Sequence, residues 1–584
     1  MFQERLKIAF ILFLVLQTGM YLHSQESFTL EIRYSYMQES RLPSLRYESS
    51  FASIEWRDHE TGKALSFLYG QGFPEAYIDS SNYDSTHQTI WINPGPRYQF
   101  TGLRPGNADP EILRGAGYRK SMNYRNTIFN YNNLSSFLEK ILIYLENHGY
   151  PFATVKLDSI SINHGEISAA LNIDRNIPVS IDSIHIKGDA RITRNYIYQY
   201  LGIKPGDAYN ESRIRKIGSR INSIPFISNL SPHEVAFTPE AASLYLYLGK
   251  KKASQFDGII GLAPNDKTSG KLLLTGDVKL KLINIIGKGE LIDINWKKLE
   301  ESSQDLRLHF NIPYLFKTPF GLDYQFQLYK KDTSYIRLNN NIGIQYLFYG
   351  NNYIKAYYEA GNSSLISTYG LEFATTLPPW ADVKTGYYGL EASTENLDYR
   401  FNPRSGYTIL VSGAAGNKNI RKNDAINPVL YDNMDLSGTQ YKTYLRMSGF
   451  IPLARKFTVM ASTEGAWLSG DNLFENELFR FGGLKTLRGF DEESLSANIY
   501  NILTAEVRYL FERNSYVSLF WNGAYYEKTT HEEDIIDRPY GFGAGLSFAT
   551  RAGIFSVSYA LGKEFNNPID LKSAKIHFGI TAAF

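Results

Sequence analysis

"SYVSLFWNGAYY", residues 515–526, decides how this chain is read. In an extended strand Val517, Leu519, Trp521 and Tyr525 share one face, and Ser518, Asn522 and Ala524 share the other. "GFGAGLSFA", residues 541–549, repeats the grammar: Phe542, Ala544, Leu546 and Phe548 stand against Gly543, Gly545 and Ser547. So does "KIHFGITAAF", residues 575–584, with Ile576, Phe578, Ile580, Ala582 and Phe584 against His577, Gly579, Thr581 and Ala583. An apolar face backed by a small or polar one is what lipid outside and water inside demand of a strand. A soluble sandwich alternates too, so no single strand decides. Continuation over residues 255–584, with aromatic strand ends, favours a transmembrane barrel.

Composition agrees. Among 584 residues there are 43 Tyr and 35 Phe, an aromatic excess that barrels place at both lipid–water interfaces. The formal net charge of +2 lacks the basic excess that nucleic-acid binding requires. There are no cysteines, which excludes disulfides, thiolate metal sites and a lipidated N-terminal Cys. At the N-terminus Arg5 and Lys7 precede the apolar run Ile8–Leu16, with small or polar residues following near Ser24. That reads as a signal peptide over residues 1–24, too short to span a bilayer as a helix. An exported chain without spanning helices enters a membrane only as a closed barrel.

Residues 27–250 follow another grammar. "NLSSFLEKILIYLENHG", residues 133–149, puts Leu134, Phe137, Leu138, Ile141, Leu142 and Leu145 on one helical stripe, with Gly149 expected at C′. Gly72-Phe73-Pro74 and Gly149-Tyr150-Pro151 lie 77 residues apart, each closing a helix and opening a strand. A third unit carries the stripe Ile214, Ile217, Ile221 and Ile224. Three β-α-α-β-β repeats, 27–97, 98–176 and 177–250, are expected before the barrel. The barrel region offers about seventeen strand candidates where an even number is required. The irregular segment 361–393 is expected to hold the false or merged one, leaving about sixteen.

"FRFGGLKTLRGF", residues 479–490, sits in a long insertion of about 470–498 between two such strands. It resembles the loop-six motif of the outer-membrane protein assembly superfamily, whose members include BamA, TamA and the two-partner secretion transporters. "FNPRSGY", residues 401–407, resembles the Asn-Pro-x-x-Gly-Tyr segment of that family's barrel, and the repeats resemble its POTRA domains. Three repeats are most similar to the TamA arrangement. The resemblance implies that Gly482, Gly483, Arg488, Gly489 and Phe490 form a tip folded into the lumen. It also implies an acidic partner for Arg488 on the inner wall. Asn522 stands at the matching place, and Glu506 is a second candidate on its own inward set.

The resemblance further implies a weak seam between the first and last barrel strands, here carrying Gly258, Gly261, Phe578 and Phe584. The expected activity is non-enzymatic assembly, insertion or translocation of outer-membrane proteins, by strand augmentation and lateral opening. Expected partners are unfolded outer-membrane clients, outer-membrane lipids and a TamB-like periplasm-spanning protein, with no cofactor, metal or nucleic acid. The alternatives are a two-partner-secretion-type transporter and a passive porin-like channel. Catalytic signatures are missing: there is no Gly-x-Ser-x-Gly, no phosphate-binding loop around "TSGK" and no HExxH among ten scattered histidines.

Overall fold

The computed structural model describes residues 28–35, 42–84, 86–118, 127–264, 272–298, 303–348, 350–399, 402–432, 434–550, 553–565, 567–569 and 574–581. The signal-peptide region, Phe401 and Phe584 lie outside the described residues. Two compact units are present: one runs up to Ser180 and includes Ala208–Glu211, the other comprises Ile181–Asp207 and Ser212–Phe584.

The first unit holds two small sheets, each covered by helix. Strands β1 (Phe28–Tyr34), β2 (Ser50–Phe51), β3 (Tyr77–Tyr83) and β4 (His87–Asn93) pair in the order β2-β1-β4-β3, with β1 parallel to β4. Helix α1 (Ile54–Gly70) starts at Ser53, whose hydroxyl accepts from the Trp56 amide, and buries Ala64 and Leu68 on Leu30, Ile32, Ile90 and Ile92. Among the described residues this repeat has one helix rather than the expected two. Residues 42–47 form no helix and are tied down by the Ile32 amide donating to the Tyr47 hydroxyl and by the Tyr34 hydroxyl donating to Pro43 O.

The second sheet comprises β5 (Gln99–Arg104), β6 (Thr127–Ile128), β7 (Thr154–Asn163) and β8 (Glu166–Asp174), in the order β6-β5-β8-β7. Helices α2 (Pro110–Gly115) and α3 (Tyr131–Glu146) cover it, and Leu134, Phe137, Ile141 and Leu145 are buried as their stripe predicts. The cap of α3 is Asn147, so Gly149, at φ 92°, lies two residues beyond the cap rather than at C′.

The second unit opens with β9 (Ser180–Lys187), α4 (Arg194–Leu201), α5 (Glu211–Arg215), α6 (Ile217–Ser223), β10 (Ile227–Phe237) and β11 (Ala241–Lys250). The isoleucine stripe is buried as expected, on the inner face of the sheet β10-β11-β9. Then follows one antiparallel sheet of seventeen segments, β12 (Gln255–Pro264) to β30 (Lys575–Thr581). Two of these segments, β27 (Asp534–Asp537) and β28 (Tyr540–Thr550), pair with the same neighbour, β26 (Ser515–Thr529). They are one strand interrupted at Arg538-Pro539, where proline supplies no ladder N–H. Sixteen strands result, and the split lies here and not in segment 361–393. That segment instead holds β18 (Tyr353–Leu365), a connection with one 3₁₀ turn, and the start of β19 (Asp382–Leu397). Burial alternates on β26 as read: Val517, Leu519 and Trp521 are exposed, while Ser518, Asn522 and Ala524 are buried.

Candidate functional site

Loop six leaves β22 (Phe457–Ser469) and returns as β25 (Ile499–Glu512). Its base is pinned to the barrel wall. The Asn476 amide donates to Ser363 Oγ at 2.7 Å and Ala381 O at 2.8 Å, and Lys418 Nζ meets Glu477 at 2.5 Å. A short hairpin of β23 (Phe479–Phe481) and β24 (Leu495–Ala497) follows, its Phe481 ring stacked on Tyr500 at 4.8 Å. The tip between these strands turns on Gly482 and Gly483, at φ 116° and 94°. Gly483 holds a left-handed φ, and a Cβ there would sit 2.9 Å from Glu492 Cα, so the turn favours glycine. Inside it the Gly483 amide donates to Leu487 O at 3.0 Å, and Leu487 and Phe490 are buried against Phe481, Tyr500, Ala524 and Tyr526.

This fold-back delivers Arg488 to the inner wall, where it has two partners. Its Nε donates to Asn522 Oδ1 at 3.0 Å and its Nη1 to Glu506 Oε2 at 2.9 Å. The guanidinium also lies 3.5 Å from the centroid of Phe520, which shares the inward face of β26 with Asn522. Amide, carboxylate and ring together fix the plane of the fork, a geometry that a lysine ammonium cannot reproduce. Asn522 is oriented in turn by donating to Thr504 Oγ1 at 2.5 Å.

Glu506 is shared. Its other oxygen accepts from Arg508 Nε at 2.8 Å, and Arg508 Nη1 reaches Asn402 Oδ1 at 3.3 Å. Asn402 belongs to the "FNPRSGY" segment and donates to Arg513 O at 3.0 Å. The two motifs singled out in the sequence are therefore joined through one buried carboxylate, with one guanidinium on each of its oxygens.

The tip also touches the last strand. The Gly489 amide donates to His577 Nε2 at 3.2 Å, and Asp491 meets Lys575 at 2.8 Å. Backbone approach here is close: a Cβ on Gly541 would sit 1.9 Å from Arg488 O, and one on Gly562 2.5 Å from Gly489 O. As for the seam residues, Gly258 and Gly261 lie on β12 opposite Val278 and Thr275, and Phe578 lies on β30 opposite Val557. Among the described residues no pairing joins β12 to β30.

Sequence reasoning placed Glu506 and Asn522 inward but missed Arg508, Phe520 and His577 as neighbours of the tip. The signal for Phe520 was present, since it sits two residues from Asn522.

A family model described as the Omp85 superfamily domain matches residues 284–584, and the chain belongs to that superfamily. It is an outer-membrane protein with POTRA-type units on the periplasmic side, in a family that inserts or translocates polypeptides. Among solved structures, CdiB from Escherichia coli shares 14% identity over 89% of this chain and 96% of its own, at a TM-score of 0.50. CdiB from Acinetobacter baumannii shares 14% identity over 90% of this chain and 96% of its own, at 0.48. BamA from Haemophilus ducreyi lacking POTRA domains 1–3 shares 16% over 82% of this chain and 98% of its own, at 0.39. No curated protein sequence matches the chain.

Proposed function

We propose that this chain assembles unfolded outer-membrane proteins into the membrane by opening a seam between β12 and β30, without catalytic chemistry. The observation that carries this reading is the placement of loop six. Its tip is fastened to the fixed wall through Arg488, Glu506 and Asn522, and to the terminal strand through His577 and Lys575. A plug that only blocked a pore would need the wall alone. A plug that also holds a terminal strand controls whether that strand is free to separate from its neighbour. Once free, its edge offers unpaired N–H and C=O groups to an incoming strand. The periplasmic units offer further edges: β7 lies at the rim of its sheet and is exposed along most of its length. The client's own pairing and burial in lipid supply the free energy, and no nucleotide is consumed.

Because the chain contains no cysteine, a disulfide can be placed across the seam without background. One cysteine goes into residues 258–263 and one into 574–584. Insertion of a client barrel into vesicles is then measured in the oxidised and reduced forms. Insertion that stops on oxidation and returns on reduction is expected. Equal insertion in both forms removes lateral opening as the mechanism.

A further inference from the structure

Helix α4 and the residues leading into it are fastened to two periplasmic turns of the barrel. In the turn after β13 (Leu272–Ile283), Asn284 Nδ2 donates to Arg191 O at 2.7 Å, and Gly287 O accepts from the Thr193 amide at 2.9 Å. In the turn after β15 (Gln304–Ile312), Tyr314 O accepts from Asn195 Nδ2 at 3.3 Å and Lys317 O from Gln199 Nε2 at 3.2 Å. The second turn is strained. Tyr314, Phe316 and Lys317 all hold left-handed backbone, at φ 56°, 52° and 61°, which side chains other than glycine rarely adopt. The strain sends neighbouring side chains opposite ways. Tyr314 is buried edge-on to Tyr196, with centroids 5.4 Å apart, while Phe316 is 91% exposed. Ile285 and Ile286, in the first turn, are 55% and 64% exposed.

Packing within the chain accounts for Tyr314 and leaves Phe316 unaccounted for. Its surroundings identify what covers it. Phe320, Tyr346 and Phe348 continue from this turn into the barrel's outward face as an edge-to-face series, with centroids 5.3 and 5.1 Å apart. In a transmembrane barrel, outward rings at the strand ends form the aromatic band of a lipid–water interface. Lys288 and Lys317, both exposed, stand beside the apolar tips. Apolar tips flanked by ammonium groups, continuous with a lipid-facing band, suit the acyl–headgroup boundary of a phospholipid surface carrying acidic headgroups.

We propose that the turns bearing Ile285, Ile286 and Phe316 are seated in the periplasmic leaflet of the membrane. Helix α4, gripped by those same turns, is thereby referenced to the membrane surface. The inference is independent of the seam and of what the protein inserts.

Phe316→Cys and, separately, Ile286→Cys are introduced into the full chain, spin-labelled and reconstituted in vesicles of phosphatidylethanolamine and phosphatidylglycerol. Collision rates with oxygen and with a water-soluble nickel chelate are read by power saturation. Ile342→Cys, outward on β17 (Tyr335–Leu347), marks the lipid limit, and Glu240→Cys, between β10 and β11, marks the aqueous limit. Nickel accessibility at 316 and 286 several-fold below that at 240, with oxygen accessibility close to that at 342, is expected. Labels at both sites as open to nickel as Glu240→Cys overturn the proposal, and point to water or to a protein missing from the vesicles as the natural neighbour. If Phe316→Cys alone fails to fold, Ile286→Cys decides between the same outcomes.

Discussion

The backbone amide of Gly489, at the tip of loop six, donates to the Nε2 of His577 on the last barrel strand at 3.2 Å. The two residues are 88 positions apart, and the bond requires His577 to keep its proton on Nδ1. His577→Leu leaves that amide unpaired in a half-buried site, a loss of roughly 1–3 kcal/mol. The midpoint of heat-induced mobility change on electrophoresis is expected to fall, with the barrel still folding. An unchanged midpoint would mean the contact carries no stability.

Arg488→Ala removes the amide, carboxylate and ring contacts together. Glu506 keeps Arg508, which limits the cost of the orphaned carboxylate to about 3 kcal/mol, the lower end for a broken buried pair. Open-state conductance in planar bilayers should rise and client insertion should drop. Arg488→Lys is expected to recover only part of both, because an ammonium cannot hold Glu506 and Asn522 while lying flat on Phe520.

Gly541→Ala tests the same seat without touching a charge. The added methyl would meet Arg488 O at 1.9 Å, a backbone atom of the tip that no side-chain rotation can clear. The tip must lift, so conductance should shift in the direction of Arg488→Ala. Behaviour like the wild-type protein would show that the tip has room to spare.

Arg488 and Arg508 share Glu506, so their effects should not add. In a double-mutant cycle of Arg488→Met and Arg508→Met, scored by thermal midpoint, the coupling is expected to exceed about 0.5 kcal/mol. Strict additivity would place the two guanidiniums in separate networks.

The first periplasmic unit contains an acid-sensitive contact. The Lys63 ammonium, 2.7 Å from Glu60 on helix α1, holds that carboxyl below its ordinary value, burial opposes the shift and the Glu48 amide adds to it. A depressed folded value means the contribution is complete above the unfolded value. It fades as pH falls from about 4.3 through the folded value. Limited proteolysis should show the wild-type unit losing protection across that range, while Glu60→Gln starts less protected at neutral pH and gives a flatter profile that meets the wild type in acid.

How much of this was legible in the sequence follows from distance along the chain. The faces of β26 and the stripe of α3 were readable because periods of two and 3.6 are local properties. The inward positions of Glu506 and Asn522 followed from the same alternation, as did that of His577. What alternation cannot supply is which inward residues meet across a lumen. The contact of Gly489 with His577 depends on how sixteen strands curl, which tilt and stagger decide together. The count of about sixteen strands was legible, but the place of the extra segment was not, for a local reason: Pro539 interrupts one strand in the middle of its ladder, and an interruption reads like a turn. Phe520 was passed over because aromatic residues in barrels usually belong to the lipid side. Here one serves as a flat floor beneath a cation.

Glu506 has two oxygens and two claimants, Arg488 on one side and Arg508 on the other. Withdrawing the tip would leave the carboxylate one counter-charge, Arg508, still tied to Asn402. A buried anion is thus not stranded without a cation when Arg488 leaves, which lowers the electrostatic cost of moving the tip. The second arginine is a spare that makes the first one releasable.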